Sequence, residues 1–230
     1  MAKRLFFIST PDSEQIFKER FCEFAYYNGF AVSQKQKSIN SFHTCIKQAN
    51  KDLNILEVST KSTEAIGVAL SAFNLKFYDE FNCKEFPLEN IFQSSKVYEK
   101  GGPYRDLLNV PPKDAKRDER LLNSGKLKYF YFEDIVWELE PKTMFYDWIY
   151  IKALSRNKKL SEEILEYNAF TDIEFNHEKS INCQARSVAI FVSLSKLGIV
   201  KEVLNDKEKF KLIYGRPIES TTQISFFDSI

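Results

Sequence analysis

The chain has 230 residues, enough to bury a sizeable core in one large domain or two small ones. Its 43% apolar and 28% charged residues are ordinary for a globular protein in water, and no apolar run reaches transmembrane length. A net charge of +1 leaves no whole-molecule field to draw in nucleic acid or a membrane, so attraction to a polyanion has to come from a local patch.

In chain order, the apolar stretches at 4–9 and 21–27 ("FCEFAYY") predict strands, separated by a polar loop that Pro11 opens. Ile39, Phe42, Ile46 and Ala49 recur with helical period and predict a helix over 38–49. "ILEV" at 55–58 predicts a strand, followed by the polar turn "STKS", then by "VALSAFNLKFY" and a short helical stretch, "PLENIFQSSKVYEKGGPY". A basic segment follows Pro111 and Pro112, and "KLKYFYF" at 126–132 predicts another strand. Helical patterns cover about 141–156, 160–167 and 182–197. No repeat or linker divides the chain. The expectation is one α+β domain, predominantly helical, with a small and mostly antiparallel sheet.

Cys22, Cys45, Cys83 and Cys183 show no CxxC and no zinc spacing, which predicts reduced thiols in a cytosol, and the opening "MAKRLFFIST" turns polar too early for a signal peptide. With His43 and His177 the only histidines, a His-based triad or His-rich metal site is not expected, and neither a metal nor a cofactor is. Chemistry then rests on carboxylates, Lys, Tyr or Ser. The 15% aromatic content serves a core, and part of it suits a pocket that stacks a flat ligand.

Residues 87–104 carry the most specific pattern. At about 100° per residue, Glu89, Gln93 and Lys96 fall in one wedge beside Phe92, while Leu88, Ile91, Ser95 and Tyr98 form the face toward the core. Asn90, Ser94 and Val97 point the other way. Helical side chains lean toward the N-terminus, so Lys96 bends back toward Glu89 across about 10 Å of helix. From spacing alone this is either a solvated border with a loose charge pair or a lysine held in a pocket wall beside a carboxylate.

"ALSAFNL" followed by "PLENIFQSSKV" resembles the NADAR (YbiA-like) family, whose pattern is Ser-Asn-Phe followed by Glu-His-x-Phe-Gln-x-x-Lys. Glu89, Phe92, Gln93 and Lys96 match in register; Asn90 stands where His is usual, and Ala72 where Asn is usual, with Asn74 nearby. "VWELEPK", "ALSRNKKLSEEIL" and "FTDIEFNHEKSINCQARSVAIF" extend the resemblance over roughly 55–200. That span would be a catalytic core, with 1–54 an N-terminal extension packed on it and 201–230 a C-terminal extension and tail. "GFAVSQKQKSINSFH" and the overall length look most like the branch associated with DarT-type toxins that ADP-ribosylate guanine in DNA.

The resemblance implies an N-glycosidase that removes ADP-ribose from guanine bases and so acts as an antitoxin in a bacterial cytoplasm. Breaking a C1–N bond develops positive charge at the anomeric carbon, which carboxylates such as Glu89 can stabilise. Lys96 offers a covalent route, because a neutral amine can hold the ring-opened ribose as a Schiff base. The resemblance also implies substrate-binding positions at Ser71, Phe73, Asn74, Phe92, Gln93, Trp137 and Asp172. Asn182 sits where it would cap the helix beginning near 182, and its free N–H groups with Arg186 would suit a diphosphate; Lys61 is a further phosphate candidate.

Lys113, Lys116, Arg117 and Arg120 recur at helical spacing and make a basic stripe able to contact DNA phosphates, although Asp114, Asp118 and Glu119 interrupt it. "QISFF" (Gln223–Phe227) is similar to the short peptide by which bacterial repair proteins dock on the sliding clamp, and equally suits a tail that packs Phe226 and Phe227 on its own domain. The implied partners are ADP-ribosylated, preferably single-stranded DNA, the product ADP-ribose, and the clamp. Two other functions fit the same sequence: a glycosidase of small ribosylamine or ADP-ribosyl metabolites, and a non-catalytic antitoxin that binds ADP-ribose.

Overall fold

The computed structural model describes residues 1–11, 15–80, 83–178 and 180–214; the clamp-like peptide at 223–227 lies outside them. Strands β1 (Ala2–Ser9) and β2 (Phe17–Phe24) form an antiparallel hairpin paired along its whole length, from Ala2↔Phe24 to Ser9↔Phe17. The second strand begins four residues before the sequence-predicted one, because its polar half, "FKER", is held by pairing rather than by burial. Both Phe6 and Phe7 are buried. Side chains alternate across a strand, so a continuous apolar run means that both faces are covered.

Helix α1 (Val32–Ala49) covers one face, placing Ile39, Phe42 and Ile46 against Phe6, Phe24 and Ile55. Phe24 and Phe42 stack at 4.4 Å, and each such buried aromatic contributes about 1.5–3 kcal/mol. The helix starts six residues earlier than its apolar period indicates. Its first turns carry no apolar stripe, so periodicity is silent there. Cys22 of β2 and Cys45 of α1 form a disulfide with 6.8 Å between their Cα atoms, which corrects the expectation of reduced thiols for that pair, while Cys83 and Cys183 are free. Apolar packing of α1 on the hairpin brings the two together, and nothing in their spacing of 23 residues announces it.

Strand β3 (Ile55–Glu57) completes the main sheet, whose order is β2-β1-β9-β3 with β9 at Ala169–Thr171. The N-terminal hairpin is thus part of the central sheet. The β3–β9 pair is parallel, and the other strand pairs among the described residues are antiparallel. Helix α2 (Ala65–Ala69) follows, then the hairpin of β4 (Lys76–Asp79) and β5 (Lys84–Pro87), and helix α3 (Leu88–Ser94). Gly67 of α2 packs directly on β3; a Cβ there would lie 2.1 Å from the Glu57 carbonyl oxygen.

A second, antiparallel sheet has the order β6-β7-β8, from Lys96–Tyr98, Leu127–Phe132 and Ile135–Trp137. Between β6 and β7 lie a 3-10 turn at Arg105–Asn109 and the short helices α4 (Pro112–Arg117) and α5 (Arg120–Asn123). Helix α6 (Met144–Arg156) is buried on nearly every side, as a helix apolar all round should be. It precedes α7 (Lys158–Glu163) and packs against α8 (Gln184–Lys196), which crosses the second face of the main sheet. Helices α9 (Val200–Leu204) and α10 (Lys207–Leu212) close the described chain. The result is the α+β architecture expected from the pattern of elements. Among the described residues, no helix is long and apolar enough to cross a membrane.

Candidate active site

Helix α3 is not the amphipathic surface helix its charges indicate: all seven of its residues are buried. It also stops sooner than expected. Ser94 and Ser95 turn their hydroxyls back on the Ile91 carbonyl, at 3.1 and 2.7 Å, and the β-forming Val97 and Tyr98 follow. Lys96 therefore opens strand β6 rather than riding the last turn of a helix. Asn90, read from the sequence as facing away from the core, is fully buried; its amide donates to the Leu107 and Val110 carbonyls at 2.7 and 2.8 Å. It anchors the 3-10 turn.

Despite the change of element, the stripe converges. Lys96 Nζ donates to Gln93 Oε1 at 2.7 Å, and Gln93 Nε2 donates to Glu89 Oε1 at 2.7 Å. The ammonium also lies 4.7 Å from the centroid of the Phe92 ring. Phe92 is fixed by Phe130, Phe145 and Tyr146, with ring centroids 5.2 to 6.3 Å away. Burial pulls the Lys96 pKa down to about 8, Lys116 adds to that, and Glu89 works in the opposite direction.

These residues line a cleft with two lobes. One, of about 480 Å³, takes Glu89, Phe92, Gln93 and Lys96 together with residues 138–146. The other, of about 410 Å³, is lined by Ser59, Thr60, Ser71, Phe73, Asp172 and Gln184 among others. Glu89, Lys116, Tyr146, Ser180 and Asn182 line both, so the lobes meet there. The second lobe is built by Gln184, whose side chain accepts from the Ala72 N–H at 2.6 Å and donates to the Val58 carbonyl at 3.0 Å. Asp172 sits in its floor, with a pKa pushed up to about 8 by burial and by the neighbouring Glu57.

Of the sequence-predicted positions, Glu89, Lys96, Phe92, Gln93, Ser71, Phe73, Asp172 and Asn182 thus line the cleft. Lys61, Asn74, Trp137 and Arg186 do not. Asn74 bonds locally to the Val68 carbonyl at 2.9 Å. Trp137 is a core residue, packed on Phe145 and Trp148 with centroids 5.6 and 4.7 Å away. Arg186 turns from the cleft to pair with the fully buried Asp147 at 3.1 Å, a carboxylate that also accepts from Thr143, Ser187 and Tyr214. A charge buried this deeply demands its partner, so the guanidinium is not free for a diphosphate. Asn182 does not cap α8 either: Cys183 holds that position.

The basic stripe breaks up. The helix is interrupted at Asp118, between α4 and α5, and Arg120 is locked by Asp106 at 2.6 Å and Asp118 at 2.8 Å. Lys116 instead reaches the cleft, with its amine 5.5 Å from the centroid of the Phe73 ring. Lys113, Lys116 and Arg117 are all exposed, so Lys116 sits at the rim of the cleft and the other two lie outside its lining. Tyr146, Lys116 and Ser59 were not singled out for the cleft from sequence, since nothing in their spacing links them to Lys96. Among the described residues, no group of three His, Cys, Asp or Glu could hold a metal ion.

A family model described as "DarT1-associated NADAR antitoxin" matches residues 2–223. The chain belongs to that family. A search of curated proteins gives no match. Membership of this antitoxin family takes in β1, β2 and α1 as well as the stretch from 55 to 200 that carries the NADAR motif, consistent with the place of the hairpin inside the sheet.

Proposed function

We propose that this NADAR antitoxin is an N-glycosidase that removes ADP-ribose from guanine bases in DNA. The observation that carries the reading is the Lys96 amine, set in a cleft against Phe92 and linked through Gln93 to Glu89, with its pKa drawn down to about 8. The shift raises the neutral fraction of the amine near neutral pH by roughly two orders of magnitude over an ordinary lysine. A nucleophile needs that lone pair.

In this mechanism the Lys96 Nζ lone pair attacks ribose C1 as the C1–N bond to guanine breaks, and the departing nitrogen takes a proton from solvent. One Nζ proton passes to O4 as the C1–O4 ring bond opens, which leaves a protonated C1=Nζ Schiff base and a 4-hydroxyl. Glu89, at the junction of the lobes, faces the charge that develops at C1 and holds Gln93 against Lys96. Water then adds to C1, the C1–Nζ bond breaks, and ADP-ribose leaves with lysine regenerated. Phe73 offers a ring to stack on a base, and the exposed Lys113 and Arg117 suit the phosphates of a single strand.

The test is release of ADP-ribose from modified single-stranded DNA, with borohydride present in a parallel reaction. Wild type is expected to turn over and to be trapped as an ADP-ribosyl adduct on Lys96, and Lys96→Ala to do neither. Turnover without an adduct would remove the covalent route. Protection from the toxin that survives Lys96→Ala would instead identify an antitoxin working by contact, and turnover confined to free ribosylamines would move the substrate to small metabolites.

A further inference from the structure

Two buried polar groups at the junction of the lobes have hydrogen-bonding capacity that the protein leaves unused. Of the five residues that line both lobes, Lys116 and Ser180 are exposed and Asn182 is half-buried, whereas Glu89 and Tyr146 are 5% and 6% exposed. Glu89 Oε1 accepts from Gln93, and among the described residues Oε2 has no donor. Tyr146 is held edge-on to Phe92, with centroids 5.2 Å apart and planes at 89°. The Lys96 amine lies 4.7 Å from the centroid of that same ring, so phenol and amine share one aromatic neighbour. Tyr150, next to Tyr146 with ring centroids 6.2 Å apart, donates its hydroxyl to the Leu70 carbonyl at 2.5 Å. The Tyr146 hydroxyl finds no such partner among the described residues. Nor is it sealed in, as the unpartnered indole nitrogens of Trp137 and Trp148 are.

A buried phenol without a partner is destabilising, so its partner is expected to arrive with the ligand. At 6% exposed, Tyr146 has no open face on which a base could stack, and its hydroxyl is what it presents. Burial, together with Glu89, Tyr150 and Asp172, holds the Tyr146 pKa well above the usual phenol value, which keeps the group a donor. Glu89 beside it is an acceptor. A donor and an acceptor side by side match a group that both gives and takes a hydrogen bond, as an alcohol does. Glu89 is also tied through Gln93 to Lys96. On a ribose joined at C1 to that amine, the 2-hydroxyl is the alcohol closest to the point of attachment.

We propose that Glu89 and Tyr146 clamp the 2-hydroxyl of the ribose that Lys96 attacks, the carboxylate accepting from it and the phenol donating to its oxygen. The clamp deepens the glycosidase reading of the cleft and rests on it. It gives the site a means of choosing between the two glycosidic bonds of a modified nucleotide. ADP-ribose is joined to guanine through a ribose, whereas the same guanine is joined to DNA through a 2-deoxyribose. Only the first sugar has an alcohol that satisfies both groups. With the second, both would stay buried and unpaired, so the bond to DNA is spared and no abasic site is made.

A purely structural Tyr146 would affect all ligands of the cleft alike, whereas the clamp acts only on those with the alcohol. Calorimetry on wild type and Tyr146→Phe compares ADP-ribose with its analogue lacking that 2-hydroxyl. Wild type is expected to prefer ADP-ribose by at least about tenfold. Tyr146→Phe is expected to weaken ADP-ribose about 3- to 15-fold and to leave the analogue within about twofold. It should also unfold at no lower denaturant concentration than wild type, since the hydroxyl it loses had no partner. Tyr150→Phe, which loses a bonded hydroxyl, is the contrast, with a lower midpoint and the ligand preference kept. The clamp is overturned if wild type shows no preference or binds neither ligand. It is equally overturned if Tyr146→Phe keeps the wild-type preference, loses both ligands alike or fails to fold. Failure of wild type to release ADP-ribose from modified DNA, whatever its preference, would instead overturn the glycosidase reading.

Discussion

Glu89 and Lys96 are joined through the single amide of Gln93, which accepts from the lysine and donates to the carboxylate, each at 2.7 Å. The amide fixes the amine in place without setting a second charge beside it. A direct carboxylate contact would favour the ammonium and silence the proposed nucleophile, whereas the neutral spacer leaves burial dominant.

Replacing that spacer tests the argument. Gln93→Glu puts a carboxylate within reach of the Lys96 amine, which favours the charged form. The rising limb of adduct formation should move upward by about 1–2 pH units. Gln93→Leu leaves the amine without its acceptor, and formation should fall at least about tenfold at every pH. Both are read from borohydride trapping across pH 6 to 10 (approximate limits set by the lysine and carboxylate ranges).

In the wild type, adduct formation should climb as pH rises through about 8, where the folded protein gives up the Lys96 proton. The effect on stability has a definite sign. The folded pKa lies below the unfolded value of 10.5, so between about 8 and 10.5 the unfolded chain binds more protons and stability rises with pH. Below about 8 the full penalty of the buried amine persists. Lys96→Met removes it and should raise stability near pH 7 by about 1–3 kcal/mol in denaturant titration, while abolishing turnover.

Gly102→Ala should disturb the site from outside it. Gly102 has φ +94°, and a Cβ there would lie 2.3 Å from the Lys96 carbonyl oxygen, which belongs to backbone and cannot swing aside. The expected loss is about 1–3 kcal/mol of stability with a marked fall in adduct formation, as β6 shifts. Gly198→Ala is the control. Its φ is +75°, but nothing lies within 4 Å of the added Cβ, so it should cost about 1 kcal/mol and leave turnover intact.

Charge reversal distinguishes cleft from strand contacts. Lys116→Glu should weaken turnover on DNA and on small ADP-ribosyl substrates alike, because Lys116 lines both lobes. The double variant of Lys113→Glu and Arg117→Glu should weaken turnover on DNA alone and flatten its salt dependence. Selective loss on DNA for Lys116→Glu would place its amine outside the cleft in solution.

The sequence by itself determined the class of fold and the residues that meet at the heart of the candidate site. Apolar period located α1, α6 and α8, the apolar run at 4–9 announced a strand, and the Glu89, Phe92, Gln93, Lys96 pattern named residues that do share one cleft wall. These signals are local: each depends on residues a few positions apart in one element. Only the tertiary structure decided where helix α3 stops, that Arg186 answers Asp147, that Trp137 is core, and that Lys116 leaves the basic stripe for the cleft. The hydrogen bonds of Thr171 are of the same kind: its hydroxyl donates to Glu57 of β3 and meets His43 of α1 across 114 and 128 residues of sequence. Which partner a charged or polar side chain finds is set by what folding leaves buried beside it. Desolvation then fixes its protonation state, and no one-dimensional spacing encodes either.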